Sequence, residues 1–231
     1  MSTRVISRTV SVASLVLAPT FGIIAAAATP ALVSPSIARQ LVAVSHHQGR
    51  FYVYCLFILL SSYLFVPAVA AIRRLMPESR PAWTEIGYLV TQMSMLIALG
   101  DGATEMVWWQ AGSPHASLSQ MVALSDRLDA APGYSLVYTI GGLGGMVGIA
   151  VLAAALIRTH IAPAWAALAL PAGFVTNIAG FTIANQALLV TSYVVLTLGM
   201  VRLAALVPAP ASTRGEAKTF VSPELGAQSA G

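Results

Sequence analysis

Charged residues are scarce in this chain of 231 residues: they make up 9% of it, whereas an ordinary soluble domain carries about 25%. Hydrophobic residues make up 57% of the chain. So few charges cannot cover the surface of a globule in water. The composition therefore excludes the ordinary soluble classes and indicates a polytopic membrane protein.

Cysteine and lysine each occur once. Cys55 has no partner for an internal disulfide, and the chain has no CxxC pair and no Cys/His spacing typical of a thiol redox centre or a zinc ribbon. Lys218 lies in a polar tail, which excludes a retinal-type Schiff base inside the bilayer. We predict no metal and no cofactor. We also predict no nucleic-acid partner, because the twelve basic residues are scattered at the ends of predicted helices.

Six apolar segments are each about as long as a helix that crosses a bilayer. Because lipid offers the backbone no hydrogen-bond partner, we predict an all-α bundle of about six spans in one domain, residues 1–206. The first segment could instead be a signal peptide, since Arg4 and Arg8 precede it, but its length favours a retained helix. The predicted spans are Val10–Ala28, Phe51–Ile72, Ile86–Trp109, Tyr134–Ile157, Trp165–Ile183 and Ala187–Leu206.

Basic residues are distributed unevenly between the two sides of this topology. A cytoplasmic amino terminus places nine of the twelve inside, and leaves Arg39, Arg50 and Arg127 outside. We therefore predict that both termini are cytoplasmic, in the plasma membrane of a bacterium. The polar segment 207–231 is predicted to be a disordered cytoplasmic tail.

Two outer connections have helical patterns of apolar residues. Segment 117–130 alternates apolar and polar residues with the period of a helix, and segment 36–45 has a weaker pattern of the same kind. We predict that both are helices lying at the membrane surface. Each could cover a site below it or merely pack at the lipid headgroups.

Two acidic residues lie within the spans, Asp101 and Glu105, both on the third segment. A charge near the bilayer centre costs about 3 kcal/mol, so such residues are functional candidates by default. Their spacing of four places them on one helix face, with Trp108 on the same stripe. Two carboxyl groups so close in a dry setting should share a proton. We predict that Asp101 and Glu105 are catalytic acids.

Other polar and aromatic residues gather in the outer half of the predicted bundle, at the depth of the acidic pair. They suggest a cavity in which Trp108, Tyr54, Tyr138, Asn177 and Tyr193 bind substrate. Tyrosine and tryptophan also collect at membrane interfaces without any function. Asn177 could simply bridge two helices.

The fourth span contains a run of glycines with two overlapping GxxxG spacings. Small residues at this interval let two helices approach closely. Helix packing within the chain is the favoured interpretation. A homo-oligomer formed through Gly141, Gly145 and Gly148 is the alternative.

An acid pair beside aromatic rings in an apolar pocket is suited to protonating an alkene or an epoxide. The helical organisation and the stripe of Asp101, Glu105 and Trp108 resemble the small integral-membrane terpene cyclases. The resemblance implies a metal-free isomerase or lyase that acts on a hydrophobic, isoprenoid substrate. In it one acid donates a proton, the other tunes the donor, and Trp108, Tyr54 and Tyr138 shield the cation.

Two other functions remain open. A proton-coupled carrier or lipid-binding protein would use the same carboxyl pair to load and release protons. An accessory membrane subunit would need no chemistry and would use its glycine-rich helix to dock a partner. Membrane lipids are predicted neighbours in every case.

Overall fold

The computed structural model describes residues 3–30, 36–77 and 81–208, and the side chains of all of these except residues 3–6, Ser135 and Tyr138. Eight helices and no strand occur in this part of the chain, which confirms the predicted all-α class. The predicted tail, apart from Val207 and Pro208, lies outside the described residues. The helices are α1 Thr3–Ala28, α2 Ile37–His46, α3 Gln48–Leu75, α4 Ala82–Ala111, α5 Leu118–Asp129, α6 Pro132–Arg158, α7 Ala164–Thr182 and α8 Gln186–Ala204.

The six long helices form a closed ring. Each of α1, α3, α4, α6, α7 and α8 packs against the next, and α8 returns to α1. The short helices α2 and α5 contact each other and connect neighbouring long helices at the same end of the ring, which we call the capped end. These two helices occupy the segments predicted to form surface helices.

Five of the described helices are long and apolar enough to cross a membrane. They lie in α1, α3, α6, α7 and α8, so five of the six predicted spans are confirmed as candidates. The sixth, α4, has 30 residues and is not among them. Its sequence carries Glu85, Gln92, Asp101 and Glu105, which lower its average hydropathy.

Helix α4 is nevertheless apolar on its outward face. Five large side chains at helical spacing are each between 47% and 62% exposed, whereas Thr84, Thr91 and Ser94 are buried. Polar residues on the inside and apolar residues on the outside are the reverse of a soluble amphipathic helix. The outward residues are Ile86, Leu89, Met93, Leu96 and Val107.

The half of the ring opposite the capped end is a packed apolar core. Leu15 and Ala18 of α1 are fully buried there, so α1 is an integral part of the bundle, and removing it as a signal peptide would leave the core open on one side. Other fully buried members of this core are Ile72, Leu152, Leu156, Leu170, Met200 and Leu203.

The glycines of α6 face α4. A Cβ atom added at Gly148 would lie 2.7 Å from the backbone nitrogen of Thr91 and 2.9 Å from the carbonyl oxygen of Gly87. Gly141 lies against Ile97, and Gly145 lies against Ser94. The predicted packing role is therefore confirmed within the chain, and the face that was considered for an oligomer is already covered by α4.

The substitution Gly148→Ala tests this interface. We expect it to lower the free energy of unfolding by about 1–3 kcal/mol, because the new methyl group overlaps the backbone of α4. Thermal unfolding of the purified protein in detergent measures the effect. The matched control is Gly142→Ala on the same helix, where nothing lies within 4 Å of the added atom. Equal stability of the two variants would contradict the proposed contact.

Candidate functional site

The centre of the site is a hydrogen bond between α3 and α4. The Tyr54 hydroxyl donates to Oε1 of Glu105 over 2.9 Å, and the Cys55 thiol donates to the backbone carbonyl of Glu105 over 3.3 Å. Tyr54 and Cys55 are buried. Gly102 permits this approach, since a Cβ atom there would lie 3.3 Å from the Cα of Leu59. The carboxyl group of Glu105 is thereby held in one orientation.

A second set of polar contacts holds the same two helices together nearer the capped end. The Trp109 indole donates to the carbonyl of Gln48 over 3.2 Å, and the Gln48 amide donates to the carbonyls of Trp109 and Gly112 over 3.3 and 2.7 Å. Gly112 also lies against Val44 of α2. The start of α3, the end of α4 and α2 are thus fixed together above Glu105.

A cavity of about 230 Å³ lies beneath α2, and we call it the lid cavity. Glu105 and Trp108 of α4 line it together with Phe51 and Tyr54 of α3. Oε2 of Glu105 has no hydrogen-bond partner in the described part of the chain. That oxygen can therefore carry a proton or contact a ligand. The remaining lining residues are Thr29, Ile37, Gln40, Leu41, Val44 and Phe181.

A second cavity, of about 150 Å³, lies in the middle of the ring, and we call it the central cavity. Asp101, Asn177 and Tyr193 supply polar groups to its walls, and Tyr54 and Phe181 line both cavities. The Asn177 amide donates to the Ser192 hydroxyl over 3.1 Å. The other lining residues are Ile58, Ser61, Ser62, Phe65, Met95, Ala98, Phe174 and Leu196.

The sequence predicted that both acids lie in a dry chamber, and this is wrong for Asp101, which is exposed. Asp101 lies one turn before Glu105 on α4 and lines the central cavity, but its side chain is exposed. Glu105 is partly buried and lines the lid cavity beneath α2.

Four of the five predicted binding residues line the two cavities. Trp108 lies on the lid cavity, Asn177 and Tyr193 lie on the central cavity, and Tyr54 lies on both. Tyr138 belongs to α6, but its side chain is outside the described part of the structure.

Sequence reasoning missed the contributions of Phe181 and Gln40. Phe181 lines both cavities, and Gln40 of α2 lines the lid cavity. The sequence pattern does not distinguish a phenylalanine that lines a cavity from any other apolar residue of a span. Gln40 is one of several polar residues of α2, and the sequence does not distinguish it from Arg39 or His46.

Neither similarity to known proteins nor the arrangement of metal-binding side chains assigns a function to this site. The chain matches no family model, no curated protein and no solved structure. Among residues 3–30, 36–77 and 81–208, no three His, Cys, Asp or Glu side chains are grouped as a metal site would require. The resemblance to the small integral-membrane terpene cyclases stays a prediction.

The contact between Tyr54 and Glu105 can be tested by infrared spectroscopy. Replacing Tyr54 by Phe removes the donor to a partly buried carboxyl group, and we expect the free energy of unfolding to fall by about 1–3 kcal/mol. The carboxyl bands that Glu105→Gln abolishes should also shift in Tyr54→Phe. The control is Tyr52→Phe, since Tyr52 is exposed and packs on the Trp109 ring. A spectrum unchanged by Tyr54→Phe would contradict the bond.

Proposed function

We propose that this protein is a membrane enzyme that protonates a hydrophobic, isoprenoid-type substrate within the bundle. The observation that carries the proposal is the carboxyl group of Glu105. It is fixed by Tyr54 and faces a cavity that adjoins a second, largely apolar cavity. An oriented acid beside space for a hydrocarbon chain is the arrangement that general acid catalysis of such a substrate requires.

In the proposed reaction Glu105 is the acid and Asp101 tunes it from one turn away. The reactive end of the substrate occupies the lid cavity, and its hydrocarbon chain extends past Phe181 into the central cavity. The proton of Glu105 adds to an alkene carbon or an epoxide oxygen, and a carbocation forms. The rings of Trp108 and Tyr54 stabilise that cation through their π faces. Loss of a proton to the carboxylate ends the reaction without net consumption of protons.

The proposal includes a placement in the membrane. Helix α4 crosses as the sixth span, with its apolar face toward lipid and its polar face toward the cavities. The capped end lies outside, because Arg8, Arg73, Arg74, Arg158 and Arg202 all lie at the opposite end of the ring. Both termini are then cytoplasmic, in a bacterial plasma membrane. In this proposal substrate enters from the membrane past the exposed side chain of Asp101, which lines the central cavity.

Removal of the acids tests this function. Membranes containing the protein are incubated with epoxidised and unmodified isoprenoids of several chain lengths, and products are identified by gas chromatography and mass spectrometry. We expect the double variant Asp101→Asn, Glu105→Gln to form cyclised product at least about 100-fold more slowly than the wild type, because a general acid typically contributes a factor of this size. In D₂O the wild-type product of an unmodified isoprenoid should gain one deuterium, because the proton that starts the reaction then becomes part of a C–H bond.

The matched control is Asp126→Asn, which makes the same chemical change on exposed α5, outside the residues that line the two cavities. It should form product at the wild-type rate. Undiminished product from the double variant, or product without deuterium from an unmodified isoprenoid, would exclude Glu105 as the initiating acid.

The exposure of Asp101 favours a second candidate, a proton-coupled carrier or lipid-binding protein. A carboxyl group at an open cavity can exchange protons with its surroundings. The packed core in the opposite half of the ring favours the enzyme, because alternating access needs a second opening at that end.

Proteoliposomes distinguish the two candidates. If the protein is an enzyme, a pH gradient should leave uptake of a labelled isoprenoid unchanged, while products accumulate in the membrane. Uptake that follows the gradient and is abolished by Asp101→Asn would favour the carrier.

A further inference from the structure

A cavity of about 350 Å³ lies at the end of the ring opposite α2 and α5. Helices α1 and α3 and the segment after α8 form its walls. Pockets that hold small molecules begin at about 300 Å³, so its size suits a ligand. This cavity shares no lining residue with the lid cavity or the central cavity, and the inference below therefore does not depend on the proposed function. The lining residues are Ser7, Arg8, Ser11, Ala71, Arg74, Leu75, Val207 and Pro208.

The charged residues among the described side chains that line this cavity are both basic. The ion pair found in the described part of the chain joins Arg73 to Glu85 over 3.0 Å, so that arginine is neutralised. Arg8 and Arg74 line the cavity and form no ion pair with a described carboxylate. Two guanidinium groups beside one cavity attract an anion.

Arg74 is held in position by two serines of α1. Its Nη1 donates to the hydroxyls of Ser7 and Ser11 over 3.0 and 3.2 Å. Its Nε and Nη2 atoms donate to no described residue. These two atoms form the edge of a guanidinium that binds a phosphate through two parallel hydrogen bonds. The serine contacts therefore leave the edge that recognises phosphate available.

The other half of the cavity is apolar. Ala71, Leu75, Val207 and Pro208 supply hydrocarbon surface directly beside the arginines. The cavity also lies at the ends of helices that are long and apolar enough to cross a membrane. The ends of a helix that spans a bilayer lie near the lipid headgroups. A soluble anion would use only the arginines, whereas a phospholipid would use both surfaces. Basic pockets between spanning helices are known to take anionic lipid headgroups.

We propose that this cavity binds the phosphate headgroup of an anionic phospholipid, with Arg8 and Arg74 on the phosphate and the apolar wall against the glycerol and upper acyl chain.

The test uses the full chain in nanodiscs of phosphatidylcholine that contain increasing fractions of phosphatidylglycerol, with retained lipid counted by native mass spectrometry. The wild type should retain phosphatidylglycerol selectively. The double variant Arg8→Gln, Arg74→Gln should bind it at least about tenfold more weakly. Each arginine near the membrane surface strengthens the binding of an anionic lipid about fivefold, and the variant lacks two. Arg74→Lys keeps the charge without the fork and should fall between the two.

The matched control is Arg202→Gln, which removes the same charge from an exposed position at the same end of the ring, outside the residues that line the cavity. It should retain lipid like the wild type. Equal losses in Arg202→Gln and in the double variant would mean that general surface charge attracts the lipid, and the site would be rejected. Unchanged binding in the double variant would reject it as well.

A separate arm distinguishes a lipid from a soluble phosphate. Glycerol 3-phosphate is titrated into nanodiscs that contain only phosphatidylcholine. Much weaker binding than that of phosphatidylglycerol supports the lipid, because the apolar wall then contributes to affinity. Equal affinity of the soluble ester would overturn the assignment to a lipid.

Discussion

The close approach of α3 and α4 is the contact on which the site depends. Gly102 of α4 has no side chain to crowd the backbone of α3 at Leu59. The Tyr54 hydroxyl of α3 is then close enough to donate a hydrogen bond to Glu105 of α4. The contacts between Gln48 and Trp109 hold the same pair of helices nearer their ends. Inside a membrane protein a carboxyl group without partners is costly, so a carboxyl that is retained must be oriented by its neighbours. Here that neighbour is the phenol of Tyr54, while the Cys55 thiol donates to the backbone carbonyl of Glu105.

The unusual composition of α4 follows from its place in the ring. Its outward face is apolar, and its polar side chains lie toward the cavities or against α3 and α6. The same arrangement divides the bundle into two halves. Toward α2 and α5 the walls carry carboxyl, amide and phenol groups around open space, whereas the opposite half is filled by leucine, isoleucine and methionine. The acids and the two cavities that they line are therefore on the side of the capped end, and the apolar half packs the helices together.

Much of the architecture could be predicted because it follows from local pattern. Long apolar runs predict helices wherever they occur, and the six segments agree with six helices to within a few residues, except at the start of α1. The four-residue spacing of Asp101 and Glu105 requires that they share a helix face. Tertiary packing decided the rest. The pattern on α4 could not indicate that Asp101 is exposed while Glu105 is partly buried, because that difference depends on how neighbouring helices cover each side chain. The roles of Phe181 and Gln40 were hidden for the same reason, since each depends on a neighbouring helix.

The amino-acid sequence alone determined that this chain folds as helices, that most of them suit a bilayer, and that two carboxyl groups lie on one face of one apolar segment. These properties follow from hydropathy and helical periodicity, which act over distances of a few residues. Only the tertiary structure decided which carboxyl is fixed by a phenol, where the empty space lies, and that two arginines border a cavity at the far end. Those features arise between helices distant in sequence, where side-chain volume and the angle of approach determine what can touch.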